Sequence, residues 1–202
     1  MADPAYIVDG VLTDGEAWVG IATTTLGSDT ASVTFTSTDD GQVGDFSQYM
    51  DLVVVSYARS VRVDYDDVLS ALFNGDTAAE SQYRVQQLKG RQTTVTAFTG
   101  TSGGDSTAAW LGAMPSTLGT ANVFAAAVST FFDVNSGKYK SWLSQSAANT
   151  GSVAYGGSVM IFTGTYKKQA PITSIKLFPA YGSNLLSASS FSLFGVLPRM
   201  VA

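Results

Sequence analysis

The chain has 202 residues, a formal net charge of −5 and only 13% charged residues, and it contains neither cysteine nor histidine. This length can bury one full hydrophobic core, which predicts one large domain, or one domain plus an arm. Without thiols and imidazoles we expect no catalytic residue, no cofactor and no metal, and the acidic charge argues against a nucleic-acid partner. No apolar run approaches the roughly 20 residues of a membrane helix and no signal peptide is evident, so we expect an untargeted soluble chain with no membrane partner.

Residues 1–30 combine acidic residues with isolated apolar ones and show neither a helical nor a strand period. Such a segment cannot bury enough surface to fold alone, so we expect an extended N-terminal arm that becomes ordered on a partner. Apolar anchors and acidic steering residues would make that contact. The predicted interface residues are Tyr6, Val8, Asp9, Asp14, Glu16 and Trp18 of the arm, with Lys167 and Lys168 of another copy as one possible basic partner.

From residue 32 onward the pattern changes to short strands. Residues 32–37, "SVTFTS", alternate apolar and hydroxyl side chains, and residues 49–60, "YMDLVVVSYARS", are apolar enough in the middle for a central strand. Further strands are expected at 67–76, where Asn-Gly marks a turn, at 81–90 and at the start of 91–106. Residues 121–135 are ambiguous, because their alanines favour helix and their aromatic and β-branched residues favour strand, and the neighbouring strands decide for strand.

The last third of the chain has the clearest strand pattern. Four strand-length segments, 139–149, 158–168, 172–180 and 190–197, are separated by Gly, Pro, Asn and Ser. In the last segment we expect Phe191 and Leu193 to face the core and Phe194 the other side. Repeated short strands at this spacing predict an all-β sandwich or barrel over residues 31–202.

The C-terminal segments resemble a signature of jelly-roll proteins in the virions of tailed bacteriophages. Those proteins tend to have an I-x-S-I-x-F-x-P segment, a short loop, and then S-x-F-S-L-Y/F-G-I/V. The matching residues here are Ile172, Ser174, Ile175, Leu177, Phe178, Pro179, Ser190, Phe191, Ser192, Leu193, Phe194, Gly195 and Val196. The strand, linker and Asp-Leu strand ending in Arg59–Ser60, and the "FNGD" at 73–76, are also similar to that group.

The resemblance covers roughly residues 32–196 and implies a jelly-roll β-sandwich after the arm, in a virion structural protein made in the host cytoplasm. We expect a capsid decoration or cement subunit on the capsid exterior, with the major capsid protein or another virion protein as its partner. Self-association as a homotrimer is also expected. The alternative is a tail or fibre module that binds a host receptor or glycan. A glycan-cleaving enzyme is a third class, which would need paired carboxylates in a cleft.

Three groups of residues have a chemical interpretation beside a structural one. Asp64, Asp66 and Asp67 could supply oxygen ligands to calcium, but they lack the EF-hand spacing, so a solvated turn is expected. The Ser and Asp of "SGGDS" at 102–106 lack a base, so a mobile loop is expected. Trp18, Trp110 and Trp142 could form a sugar platform, but they are far apart in sequence and are expected in the core or an interface.

Charge is distributed unevenly along the sequence. Every Lys and Arg lies at or after Arg59, whereas after Asp133 there is no carboxylate side chain. Two interpretations remain open: chance in a sparsely charged chain, or complementary patches that set the register between neighbouring copies.

Overall fold

The computed structural model describes residues 18–77, 82–100, 105–151 and 156–197, and the backbone of two short strands near the N-terminus. Those two strands, β1 (Ile7–Val8) and β2 (Val11–Leu12), pair with each other. The described residues form strands, turns and one 3₁₀ turn at Phe46–Gln48, with no α-helix among them. The expectation of an all-β fold is therefore confirmed.

Two antiparallel sheets pack in a sandwich-like arrangement. The small sheet has the order β10-β6-β14-β4. Its strands are β4 (Val33–Thr36), β6 (Asp66–Phe73), β10 (Ala109–Pro115) and β14 (Ser174–Pro179). The large sheet has the order β3-β15-β5-β11-β12-β13-β7-β8, with β9 (Asp105–Ser106) also paired to β7. Its other strands are β3 (Trp18–Thr25), β5 (Asp51–Ala58), β7 (Tyr83–Arg91), β8 (Thr94–Thr99), β11 (Ala125–Phe132), β12 (Lys140–Asn149), β13 (Gly157–Tyr166) and β15 (Ser190–Val196).

Each strand segment expected between residues 32 and 197 contains a strand in the structure. The ambiguous segment 121–135 contains β11, which lies between β5 and β12 in the sheet. Ladders on both sides therefore override the helix propensity of its alanines. Two longer strands were not expected, β3 and β10. Strand β10 has the sequence AWLGAMP, whose Ala, Gly and Pro residues give little strand signal.

The core lies between the two sheets and contains a cluster of aromatic rings. Along β12 every second residue, from Lys140 to Ala148, is buried, which is the period of a strand with one face on a core. Trp142 and Phe73 belong to the cluster, together with Tyr83, Phe131 and Tyr166, with ring centroids 5.0–6.4 Å apart. Phe191 and Leu193 are also buried, at 0% and 1% exposure, so their expected core positions are confirmed.

Glycine is required where a ring covers the backbone. At Gly195 an added Cβ would lie 2.2 Å from Cδ1 of Tyr49, so no larger side chain fits without a shift of that buried ring. At Gly20, on the neighbouring strand β3, an added Cβ would have no atom within 4 Å. The glycine of the C-terminal signature therefore has a packing function.

Two other residues of the resemblance fix loops. Arg59, only 4% exposed, donates from Nη1 to the carbonyls of Thr120 and Val123 and from Nη2 to those of Ser116 and Gly119. Burial lowers the pKa of this guanidinium. In the expected Asn-Gly turn, Asn74 and Gly75 both have positive φ. The side chain of Asn74 donates to the Pro171 carbonyl and accepts from the Thr173 amide, which ties the turn to the start of β14.

The predicted arm lies largely outside the described residues. Its last part differs from an unpaired arm, because Trp18–Thr25 form strand β3, which pairs with β15 in the large sheet. The mixed burial of this strand explains the missing period in the sequence, since Val19 is buried while most of its neighbours are exposed or half-buried. The domain boundary after residue 30 stays a prediction.

Candidate functional site

The outward side of the large sheet is an exposed surface with many apolar side chains. We call the outward-facing residues of β5, β11, β12, β13 and β7 the outer face. Its large apolar residues are between 38% and 65% exposed: Tyr57, Leu88, Val128, Phe132, Leu143, Val159 and Ile161. Because a strand alternates its side chains, these residues are on the side of the sheet that the small sheet does not cover.

Strand register brings the apolar residues of the outer face into rows. The middle row runs from Val55 through Val128, Gln145 and Ile161 to Leu88, each opposite the next on a paired strand. Directly opposite residues in a sheet lie about 4.5–5.5 Å apart, so these side chains are in reach of one another. The row thus has two apolar residues on each side of the polar Gln145.

A second row consists mainly of small residues and forms a depression. Ala126 and Ala147 lie in line between Tyr57 and the exposed Val159, and Gly90 follows Val159 at the end of the row. The depression has a volume of about 620 Å³, and Phe124, stacked on Tyr57 at 5.3 Å, also lines it. The outer face thus offers a shallow concave area beside a raised aromatic pair.

Charge is almost absent from the outer face. On its five strands, all of them fully described, Arg84 is the one exposed charged side chain, and Asp51 at the start of β5 is buried. With strands of 8–10 residues, five strands cover about 700 Å² at the usual strand spacing. This area includes polar residues such as Ser141, Gln145 and Thr163 as well as the apolar ones. A surface of this size with one exposed charge is suited to protein contact.

The acidic cluster of Asp64, Asp66 and Asp67 makes ion pairs and a hydrogen bond within the chain. Asp64 pairs with Arg62 at 2.8 Å, and Asp66 pairs with Arg91. Asp67 is 2% exposed and accepts from the Ser60 hydroxyl at 2.7 Å. Asp66 and Asp67 begin strand β6, so the expected solvated turn is wrong for these two residues. Among the described residues no three His, Cys, Asp or Glu side chains are grouped as metal ligands.

The other two chemical motifs also remain separate from the outer face. The first residues of "SGGDS" lie outside the described residues, and the Ser106 hydroxyl donates to the Ala108 carbonyl. The three tryptophans do not form one platform. Trp142 is 1% exposed in the core, Trp18 is exposed on β3 beside Phe194, and Trp110 stacks on Phe98. The expected core position is thus confirmed for Trp142.

The predicted interface residues are only partly described. Tyr6, Asp9, Asp14 and Glu16 lie outside the described residues, and Val8 is described only as part of β1. Trp18 is 46% exposed, with its ring 5.8 Å from that of Phe194. Lys167 is half-buried and Lys168 is exposed, with its Nζ 4.0 Å from the Asp76 carboxylate. Trp18, Lys167 and Lys168 do not belong to the five strands of the outer face. The interface role of all eight predicted residues stays a prediction.

The uneven charge of the sequence is reduced by contacts within the chain. Lys138 lies 3.5 Å from Asp133, and Lys168 faces Asp76. Lys140 is buried and donates from Nζ to the carbonyls of Ser136, Lys138 and Gln169, while burial lowers its pKa. Folding therefore brings several of the late cations beside earlier carboxylates, or buries them.

Sequence reasoning missed the outer face, although a signal for it was present. Strands β5 and β11, DLVVVSYA and AAAVSTFF, carry apolar residues at both odd and even positions. A strand that is apolar on both sides is typical of a layer that is covered on both sides. Here the outward residues Tyr57 and Val128 remain exposed, whereas Val53 on the same side of β5 is buried.

No known protein family matches this sequence, and no similar chain was found among curated proteins or among solved structures. In the described part of the chain, no helix is long and apolar enough to cross a membrane.

Proposed function

We propose that this chain is a structural subunit of a tailed-phage virion, a jelly-roll protein that decorates and stabilises the capsid shell. The C-terminal signature supports this proposal, because its residues occupy structural positions: Phe191 and Leu193 in the core and Gly195 under Tyr49. The outer face is the observation that carries an assembly function. The chain would act by binding other virion proteins and not by catalysing a reaction.

The path of the chain supports the jelly-roll part of the proposal. A jelly roll has eight strands in two sheets, joined as Greek keys. Here β4, β5, β6 and β7 alternate between the small and the large sheet, as do β10, β11, β14 and β15 when the hairpin β12–β13 is set aside. The inserted hairpin adds two strands to the large sheet and provides much of the outer face.

The outer face would be covered by a neighbouring copy of this chain in a homotrimer. A standard protein interface buries about 800 Å² per partner, close to the roughly 700 Å² that the five strands cover. A surface with one exposed charge needs no partner of opposite charge. Depletion of charge is typical of the buried centre of an interface. The threefold state itself follows from the resemblance.

Attachment to the shell would use the residues that precede β3. The predicted anchors Tyr6 and Val8 and the acidic Asp9, Asp14 and Glu16 all lie in residues 2–17. Exposed charge pairs are worth only about 0–1 kcal/mol each, so the apolar anchors should dominate the affinity. A deletion of residues 2–17 keeps β3, which pairs with β15. We expect the truncated protein to form the trimer and to fail to bind particles that lack this chain.

Electron microscopy of phage particles purified from an infection in which the chain is produced tests the proposed function. The expected result is density for the sandwich at many sites on the outside of the capsid, with the outer face turned toward another copy. A few copies confined to the tail tip would instead favour the receptor-binding alternative, and absence of the chain from the particles would contradict a virion function.

A further inference from the structure

Two small clefts lie side by side away from the outer face. The first has a volume of about 200 Å³ and is lined by Phe98, Trp110 and Tyr181 together with Arg62, Asp66 and Lys89. The second has a volume of about 210 Å³, and Ser70 and Phe178 contribute to its wall. Trp110 and Tyr181 line both clefts, so the two spaces share these rings as a common border. Each is smaller than the 300–1,000 Å³ typical of sites for drug-sized ligands.

Exposed aromatic rings in fixed positions border the clefts. The rings of Phe98 and Trp110 are nearly parallel, at 10°, with centroids 5.6 Å apart, and Phe98 is 47% exposed. Tyr181 is 59% exposed, and the guanidinium of Arg62 lies 5.0 Å from its ring centroid. Rings held by such contacts lose little freedom when a ligand packs on them. They offer flat apolar surface beside polar groups.

A buried hydroxyl without a partner lies at the second cleft. Ser70 is 0% exposed, and its Oγ has no hydrogen-bond partner among the described residues. Burying an unpaired hydroxyl is unfavourable, and a ligand hydroxyl could both donate to it and accept from it. Ser70 lies opposite Trp110 on β10 and opposite Phe178 on β14, so the hydroxyl is flanked by two aromatic residues.

The charges in the first cleft compensate one another. Two cations, Arg62 and Lys89, and two carboxylates, Asp66 and Asp67, line it. Arg62 pairs with Asp64 at 2.8 Å, and Lys89 lies 3.9 Å from Asp66, which also pairs with Arg91. A site with no net formal charge and paired ions favours an uncharged ligand over an anion. The mixture of donors and acceptors suits a ligand with many hydroxyl groups.

We propose that the two clefts bind a neutral sugar of one or two pyranose rings. The apolar face of a sugar ring would pack on Phe98 and Trp110, and a sugar hydroxyl would bond to the Ser70 Oγ. The site goes beyond the proposed structural function and does not depend on the oligomeric state, because the outer face contributes none of these residues. A virion subunit with such a site would also make contact with a glycan.

Saturation-transfer NMR on the full chain tests the site. The probes are glucose, galactose, rhamnose, N-acetylglucosamine, maltose and lactose, with inorganic phosphate as the anionic comparison. We expect saturable transfer with at least one sugar and a Kd of about 1 mM, which is the weak end of specific binding. No saturable transfer from any of the six sugars, or displacement of a bound sugar by phosphate, overturns the proposal.

Two substitutions locate the binding. Phe98→Ala should weaken sugar binding by about three- to tenfold, because one aromatic contact is lost. Ser70→Ala should weaken binding while leaving thermal stability unchanged or raised, because the hydroxyl has no partner to lose. The matched control is Phe132→Ala on the outer face, which should bind the sugar as the wild type does. Unchanged affinity in both Phe98→Ala and Ser70→Ala overturns the proposed position of the site.

Discussion

The two sides of the large sheet are built from the same strands and are both rich in apolar residues, yet they differ in how much of that apolar surface is buried. The inner side carries Phe131, Trp142 and Phe162, which are at most 1% exposed against the small sheet. The outer face carries Val128, Ile161 and other apolar residues that remain exposed. Apolar composition therefore identifies a layer that should be covered, while the fold decides whether the same chain supplies the cover.

The largest expected difference between the two sides is in the cost of removing a ring. Phe191 is fully buried, so Phe191→Ala should lower the free energy of unfolding by about 3–5 kcal/mol. Phe132, 39% exposed on the outer face, is the matched control, and Phe132→Ala should cost about 1 kcal/mol or less in the monomer. Urea unfolding at low protein concentration measures both. Equal losses would mean that the two sides are not distinguished by burial.

A smaller difference is expected at two glycines on adjacent strands. Gly195→Ala forces a methyl group against the ring of Tyr49 and should cost about 1–3 kcal/mol through overpacking. Gly20→Ala on β3 meets open space and should be neutral or stabilise the strand by up to about 1 kcal/mol. Thermal unfolding followed by circular dichroism compares the two variants. If Gly195→Ala were as stable as the wild type, the packing function of this signature residue would be refuted.

The smallest expected effect is a dependence of stability on alkaline pH that originates on the inner side. Burial is the main cause that raises the pKa of both Tyr83 and Tyr166 above the ordinary value of a phenol. In the unfolded chain a tyrosine loses its proton near pH 10, so above about that pH the unfolded state binds fewer protons and stability falls as pH rises. Tyr166→Phe removes one of these groups. Urea midpoints measured from about pH 8 to about pH 11 should therefore decrease less steeply in this variant, and identical slopes would contradict the assignment.

Much of the fold could be predicted because turns and strand alternation are local signals. The sequence indicates the Asn74–Gly75 turn and a strand with Phe191 and Leu193 on one side, and the structure contains both. Strand β10 was not predicted because its strand pairing with β6 compensates for a weak propensity. The order of strands in the sheets depends on contacts distant in sequence, which periodicity does not report.

The candidate surfaces were harder to predict for the same reason. Val128 and Ile161 lie on different strands, and only the register through β12 brings them to one face. Trp110 and Phe98 come from different sheets, so their stacking is also invisible in the sequence. By contrast, the composition of β5 and β11 does contain the information that both sides are apolar. The composition of these strands does not indicate whether the second apolar side is covered by another part of the chain or by another molecule.

Native mass measured by sedimentation velocity tests whether the outer face is covered by another copy of this chain. The substitutions Val128→Lys and Ile161→Lys, made together, place two charges in the middle row without touching the core. We expect the wild type to sediment as a trimer and the double variant to sediment as a monomer with an unchanged circular dichroism spectrum. A wild-type monomer, or a double variant that still forms the trimer, would contradict this expectation.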